Sequence, residues 1–181
     1  LKQRILKWMC AIGQNPYELI GLDKGLLLQR FKSRYELKIE ELQEQLEALE
    51  EGNFVEFLDG ILDEYVYLSQ DMVELEALGF KVNEAFDAVL DNNETKLTTS
   101  EDYILIQHAL KVKDAGENNW YVDANVFNDE TYYCLKNHSN DKVAKFIDHE
   151  KPDISQFVPI SLQNLTQAES DTRLPSTGNV S

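Results

Sequence analysis

Four carboxylates in the first half of the chain carry spacings that could hold a metal ion. Glu41 and Glu44 stand three apart and Asp59 and Asp63 four apart, so on α-helices each pair shares a face. The dipeptide Gly52-Asn53 separates the pairs. At the rise of an α-helix, Glu44 and Glu41 lie about 12 and 16 Å before Gly52, and Asp59 and Asp63 lie roughly 9 and 15 Å past Asn53. In an antiparallel helical hairpin the pairs then face each other at similar heights. Four unpaired carboxylates so placed repel one another, and a hard divalent cation bound through oxygen, Mg²⁺ or Mn²⁺, relieves the repulsion. The competing expectation is a solvated face, which Glu-rich helices commonly present. Glu47, Glu50, Glu51, Glu74 and Glu76 read that way. Asp59 and Asp63 weigh toward a site, because aspartate is a poor residue inside a helix and both adjoin the apolar stripe.

The elements that must position these acids are helical. Ile5, Trp8, Met9 and Ile12 recur at helical spacing until Gly13 and Pro16 interrupt them. From about Leu26, the residues Leu28, Phe31, Tyr35, Ile39, Leu42, Leu46 and Leu49 step by threes and fours along one stripe of a long helix. Gly52 suits the left-handed residue after its end, and Asn53 with Glu56 has the form of a capping box. Phe54, Phe57, Leu58, Ile61, Leu62, Tyr65, Leu68 and Met72 then mark the expected buried side of a third helix ending near Gly79. Asn83 is the expected cap of a fourth, with Phe86, Val89 and Leu90 as its apolar residues. Beyond Lys96 the pattern changes. "TTSEDYILIQHALKVKDAG" reads as one more helix with a Ser or Thr cap and Gly116 at its end. "NWYVDANV" and "ETYYCLKN" read as a β-hairpin, with a short third strand at "KVAKF". After Pro152 the chain turns polar, and a flexible tail is expected from about 161. The expected architecture is mainly α: a four-helix core over 1–97, a helix and β-hairpin extension over 98–160 and the tail over 161–181.

Composition bounds the function. The chain has 181 residues with 43% hydrophobic content, which fits one domain able to bury a core. A formal charge of -16 argues against nonspecific binding to nucleic acid or to an anionic membrane, and an anionic substrate would need a metal. No apolar run approaches the roughly 20 residues of a membrane span, and the start "LKQRILKWMC" is too polar for a signal peptide; the expected location is cytoplasmic. Cys10 and Cys134 suggest neither a disulfide framework nor zinc. His108, His138 and His149 lack ligand spacing, and "LPSTG" at Leu174 to Gly178 lacks the hydrophobic segment and basic tail of a sorting signal.

The segments "RYELKIEELQE", "GNFVEFLDGILDEYVYL", "LGFKVNEAFDAVLDNNETK" and "NDKVAKFIDHEKPDI", in that order and spacing, resemble the MazG-like all-α nucleoside triphosphate pyrophosphohydrolases, in the variety common in phages. The likeness runs from about Gly13 to Ile154. The family's Arg, Leu and Glu-Glu-x-x-Glu are matched by Arg34, Leu37, Glu40, Glu41 and Glu44, and its second acidic motif by Asp59 and Asp63. Gly60 stands where many members carry a further carboxylate, so Asp59 takes that role. The later motifs are echoed by Asn93, Thr95 and Lys96, then by Lys142, Val143, Lys145, Pro152 and Asp153.

The resemblance implies Mg²⁺-dependent cleavage between the α and β phosphates of a nucleoside or deoxynucleoside triphosphate, in a helical bundle completed by dimerisation. Mg²⁺, or Mn²⁺, would neutralise phosphate and lower the pKa of a bound water, while a carboxylate orients or deprotonates it. Glu41, Glu44, Asp59 and Asp63 are then the expected ligands, with Glu40 and Glu41 acting on the water. Arg34, Asn93, Lys96 and Lys145 are the expected phosphate contacts. For Arg34 the alternative is an intrahelical ion pair with an acid such as Glu41 or Glu36. For the whole chain the alternative is a catalytically inactive acidic helical protein of the same fold that binds or regulates a partner.

Overall fold

The computed structural model describes residues 1–116 and 118–163, and the "LPSTG" motif and most of the expected tail lie outside them. The described chain is mainly helical, with one two-stranded antiparallel sheet. It divides into two compact units, 1–82 with the residues from 155 onward, and 83–154.

The first unit is built on a helical hairpin. Helix α1 spans Lys2–Ala11, a 3₁₀ turn spans Pro16–Leu19, α2 spans Lys24–Glu50 and α3 spans Phe54–Ala77. Asp23 caps α2 by accepting from the Leu26 N–H. At its far end Gly52 is left-handed, at φ 69°, and the Asn53 and Gly52 N–H groups donate back to the carbonyls of Ala48 and Leu49, a Schellman closure. The Asn53 side chain then accepts from the Glu56 N–H and starts α3. One dipeptide thus ends one helix and begins the next, which fixes the heights of the acids on either side. Helix α3 ends in the same manner: Gly79 is at φ 91°, and Phe80 and Gly79 donate to Leu75 and Glu76. A short helix, α6, over Ile160–Gln163 also belongs to this unit.

The side of the hairpin that is buried differs from the expected one. The residues packed between the helices follow a regular three-four spacing: Leu27, Phe31, Arg34, Lys38, Glu41, Gln45 and Ala48 on α2, with Phe57, Gly60, Glu64, Tyr67, Asp71, Glu74 and Leu78 on α3. Apart from its ends this seam is polar. The apolar stripes are the adjoining positions, one residue later on each helix. Leu28, Tyr35, Ile39, Leu42, Leu46 and Leu49 on α2, with Phe54, Leu58, Ile61, Leu62, Tyr65 and Leu68 on α3, are 39% to 71% exposed. One residue is about 100° of helical rotation. Because the helix axes run in opposite directions, equal rotations bring both stripes to the same side of the hairpin, forming one apolar face. The positions one residue before the seam fall on the opposite side. There α1 seats Ile5 and Met9 against Val73, with Leu6 and Val66 at the margin.

Gly60 is accounted for by helix contact. A Cβ there would lie 2.7 Å from Cγ of Gln45, so the helices approach where glycine leaves room.

The second unit holds α4 over Val82–Glu94, whose first residue belongs to the unit before it, then α5 over Glu101–Ala115 and strands β1 over Trp120–Phe127 and β2 over Glu130–Asn137. The boundary expected near residue 97 therefore moves to 82–83, and α4 leaves the expected four-helix core. Its C-terminal turn is tied within this unit. Asn92 donates to the Glu150 carbonyl, Thr95 meets His149, and Thr98 exchanges backbone hydrogen bonds with Tyr133. The helix starts at Val82, so Asn83 lies inside it rather than capping it. Ser100 caps α5 through the Tyr103 N–H, and Gly116 ends it at φ 71°. The strands pair from Trp120–Asn137 to Phe127–Glu130. Asn128 and Asp129, both at positive φ, make the two-residue turn whose twist suits such a hairpin. "KVAKF" contributes a single bridge, Lys136 to Val143, and no strand. The core is Ile104, Leu135, Ala144 and Phe146.

Candidate metal centre on the acidic face

Glu41 occupies a seam position and is half-buried, whereas Glu40, Glu44, Asp59 and Asp63 sit one residue before the seam on their helices and are exposed. By the rotation argument above, these four share the side opposite the apolar face, with Glu41 at its edge. Their proximity registers on Glu41. Its carboxyl is pushed above the ordinary range, first by burial and then by the negative charges of Asp63, Glu44, Glu40 and Asp59. The two acid pairs derived from spacing therefore act on one another electrostatically. Tyr67, one seam position along α3, is raised first by burial and then by Glu41, Asp63 and Glu40, with Arg34 opposing.

The donor set is entirely carboxylate, which suits Mg²⁺ or Mn²⁺. Among the described residues, however, no three His, Cys, Asp or Glu side chains are gathered closely enough to hold an ion. Exposed carboxylates must turn inward before three could ligate one cation.

Further along the seam the charges are already matched. Arg34 is 4% exposed and donates to both oxygens of Glu74, at 2.7 Å each, and to Asp71 at 2.8 Å. Arg30 adds two donors to Glu74, and Lys38 pairs with Asp71. The Arg34 guanidinium is held above its ordinary value: burial opposes this and is the largest single influence, but the hydrogen bonds and charges of Glu74 and Asp71 prevail. Two expectations change as a result. Arg34 neither pairs within its own helix nor offers its guanidinium to a phosphate, because it is committed across the seam. Glu74, expected on a solvated face, is wholly buried and is the acceptor around which this network closes. Glu64, which accepts from Gln45 at 3.3 Å, and Tyr67 are the site neighbours that residue spacing missed. Both lie on the seam period, displaced from the apolar stripe that the periodicity made conspicuous.

The remaining phosphate candidates belong to the second unit. Asn93 and Lys96 lie one turn apart at the end of α4, and Lys96 donates to the Asn93 side-chain oxygen. Lys145 and Lys96 both bear on His149, whose imidazole is lowered first by burial and then by these two charges. No helix among the described residues is long and apolar enough to cross a membrane. Compared with known proteins, the chain matches no family model, no curated protein and no solved structure.

Proposed function

We propose that the chain is a Mg²⁺-dependent nucleoside triphosphate pyrophosphohydrolase, releasing the monophosphate and pyrophosphate, as its resemblance to MazG-like enzymes implies. The observation that carries this reading is the effect of Asp63, Glu44, Glu40 and Asp59 together on the Glu41 carboxyl, since mutually opposed carboxylates on one face are what a divalent cation would relieve. In this reading Glu41, Glu44, Asp59 and Asp63 turn onto the ion, and Glu40 and Glu41 serve the attacking water. Asn93, Lys96 and Lys145 hold phosphate. The exposed apolar face of the hairpin takes a second copy of the chain, completing a bundle the monomer leaves open. The deciding experiment is pyrophosphate release from a panel of NTPs and dNTPs with Mg²⁺. Turnover that is lost in Glu44→Ala/Asp63→Ala supports the assignment, and turnover that survives that double substitution rejects it.

The absence of three gathered ligands among the described residues, with Arg34 committed to Glu74 and Asp71, favours a second reading: a noncatalytic acidic helical protein whose apolar face binds or regulates a partner. No turnover of any nucleotide, with Mg²⁺ binding absent by calorimetry, would select it.

A further inference from the structure

The second unit is acidic, with fifteen Asp and Glu against seven Lys and no Arg over residues 83–154. Four of those seven lysines, Lys96, Lys111, Lys142 and Lys145, line a single groove of about 410 Å³ whose wall includes no acid. None of the four forms an ion pair among the described residues, whereas Lys136, outside the groove, pairs with Asp123. The nearest acid in sequence, Asp141, has its carboxylate engaged by the Tyr121 hydroxyl at 2.7 Å. Four ammonium groups concentrated in an acid-rich unit repel one another unless an anion lies between them.

The neutral groups of the wall point to the same chemistry. Asn137 and Asn140 spend their side-chain oxygens on the N–H groups of Ser139 and Lys142, which leaves their amide nitrogens as donors. The Trp120 indole Nε1–H is buried and has no acceptor among the described residues, while Lys111 lies over its ring at 5.5 Å. An unmet buried donor is costly. The wall therefore offers ammonium, amide and indole donors with its amide oxygens already occupied. A groove of this volume matches a small ligand rather than a polymer.

We propose that this groove binds a small anion with two or more phosphate charges, a pyrophosphate group that is either free or carried on a nucleotide. Lys96 and Lys145 were expected at phosphate from the resemblance; the fold adds Lys111, Lys142, Trp120, Asn137 and Asn140. The proposal does not depend on hydrolysis or on the acidic face. It is tested by titrating sodium pyrophosphate, and separately nucleoside triphosphate, into the full chain in EDTA. Binding is followed by calorimetry and by Trp120 fluorescence in a Trp8→Phe background. Saturable binding is expected that weakens with salt. A loss of tenfold or more is expected in Lys111→Gln/Lys142→Gln, with none in Lys113→Gln, a lysine outside the groove on the same helix. Equal binding of the two ligands identifies the free group, and tighter binding of the triphosphate identifies the nucleotide-borne group; both uphold the proposal. It is overturned if neither binds, if only an oligonucleotide binds, or if binding persists in a double variant whose circular dichroism and melting are unchanged. Pyrophosphate binding in EDTA should also persist in Glu44→Ala/Asp63→Ala, so failure of the hydrolase reading and failure of this one are distinguishable.

Discussion

Arg34 and Glu41 sit seven residues apart on one seam and behave oppositely. Arg34 is surrounded by compensating charge. Arg34→Ala strands the buried Glu74 and Asp71, and should cost about 3 to 5 kcal/mol of stability by urea denaturation. Arg34→Lys should recover only part of this, since an ammonium cannot reproduce the forked contact. A phosphate contact at the surface would instead change substrate affinity with little effect on stability. Glu41 is surrounded by like charge, and its folded-state pKa lies above that of the unfolded chain. The folded state therefore binds the proton more tightly. Glu41 destabilises the fold above its folded pKa, and the penalty fades as pH falls through that value toward the ordinary carboxyl range. Glu41→Gln should accordingly raise the melting temperature at pH 7, with the advantage shrinking to nothing near about pH 4. A gain that is independent of pH would show that the carboxylate's charge is not responsible.

Among the elements, the hairpin was the most legible from sequence, because its controls are local. Gly52, Asn53 and Gly79 act within one or two turns of themselves, and the same holds for Ser100, Gly116 and the Asn128-Asp129 turn. Gly60 was not legible. Alone it reads as a helix defect worth roughly 1 kcal/mol, and only the position of Gln45 across the seam gives it a purpose. Gly60→Ala sets the gain in helix propensity against overpacking of about 1 to 3 kcal/mol. The net expectation is a modest loss of stability. Adding Gln45→Ala should turn that loss into a gain, and the cycle of single and double variants measured by thermal melting checks the coupling. The expected third strand failed for a related reason. "KVAKF" has the apolar alternation of a strand, but Ala144 and Phe146 satisfy it by packing into the core, with one backbone bridge sufficing.

For the whole molecule, the unresolved demand is the apolar face. Large contiguous apolar surface is unusual on a monomer, and this face runs the length of a hairpin whose seam contributes little hydrophobic burial of its own. Under the proposed dimer, Leu46→Asp/Leu58→Asp should convert the assembly to monomer in analytical ultracentrifugation while keeping its helical circular dichroism. A wild-type chain that is monomeric at micromolar concentration would instead leave the face to another partner. Mg²⁺ should raise the melting temperature of the wild type and not of Glu44→Ala/Asp63→Ala, since a cation bound only by the folded state stabilises it.

The sequence by itself determined the period of the two long helices, their ends, the turn that joins them and hence the matching heights of Glu41, Glu44, Asp59 and Asp63. It could not determine the phase. Two adjacent stripes on each helix share the same three-four spacing, and hydrophobicity singled out the one that stays exposed. Contacts distant in sequence selected the other. Arg34 and Lys38 reach Glu74 and Asp71 more than thirty residues away, and Gly60 admits Gln45, so the polar stripes close on one another and turn the apolar ones outward. Periodicity is a property of one helix, whereas phase is a property of the pair.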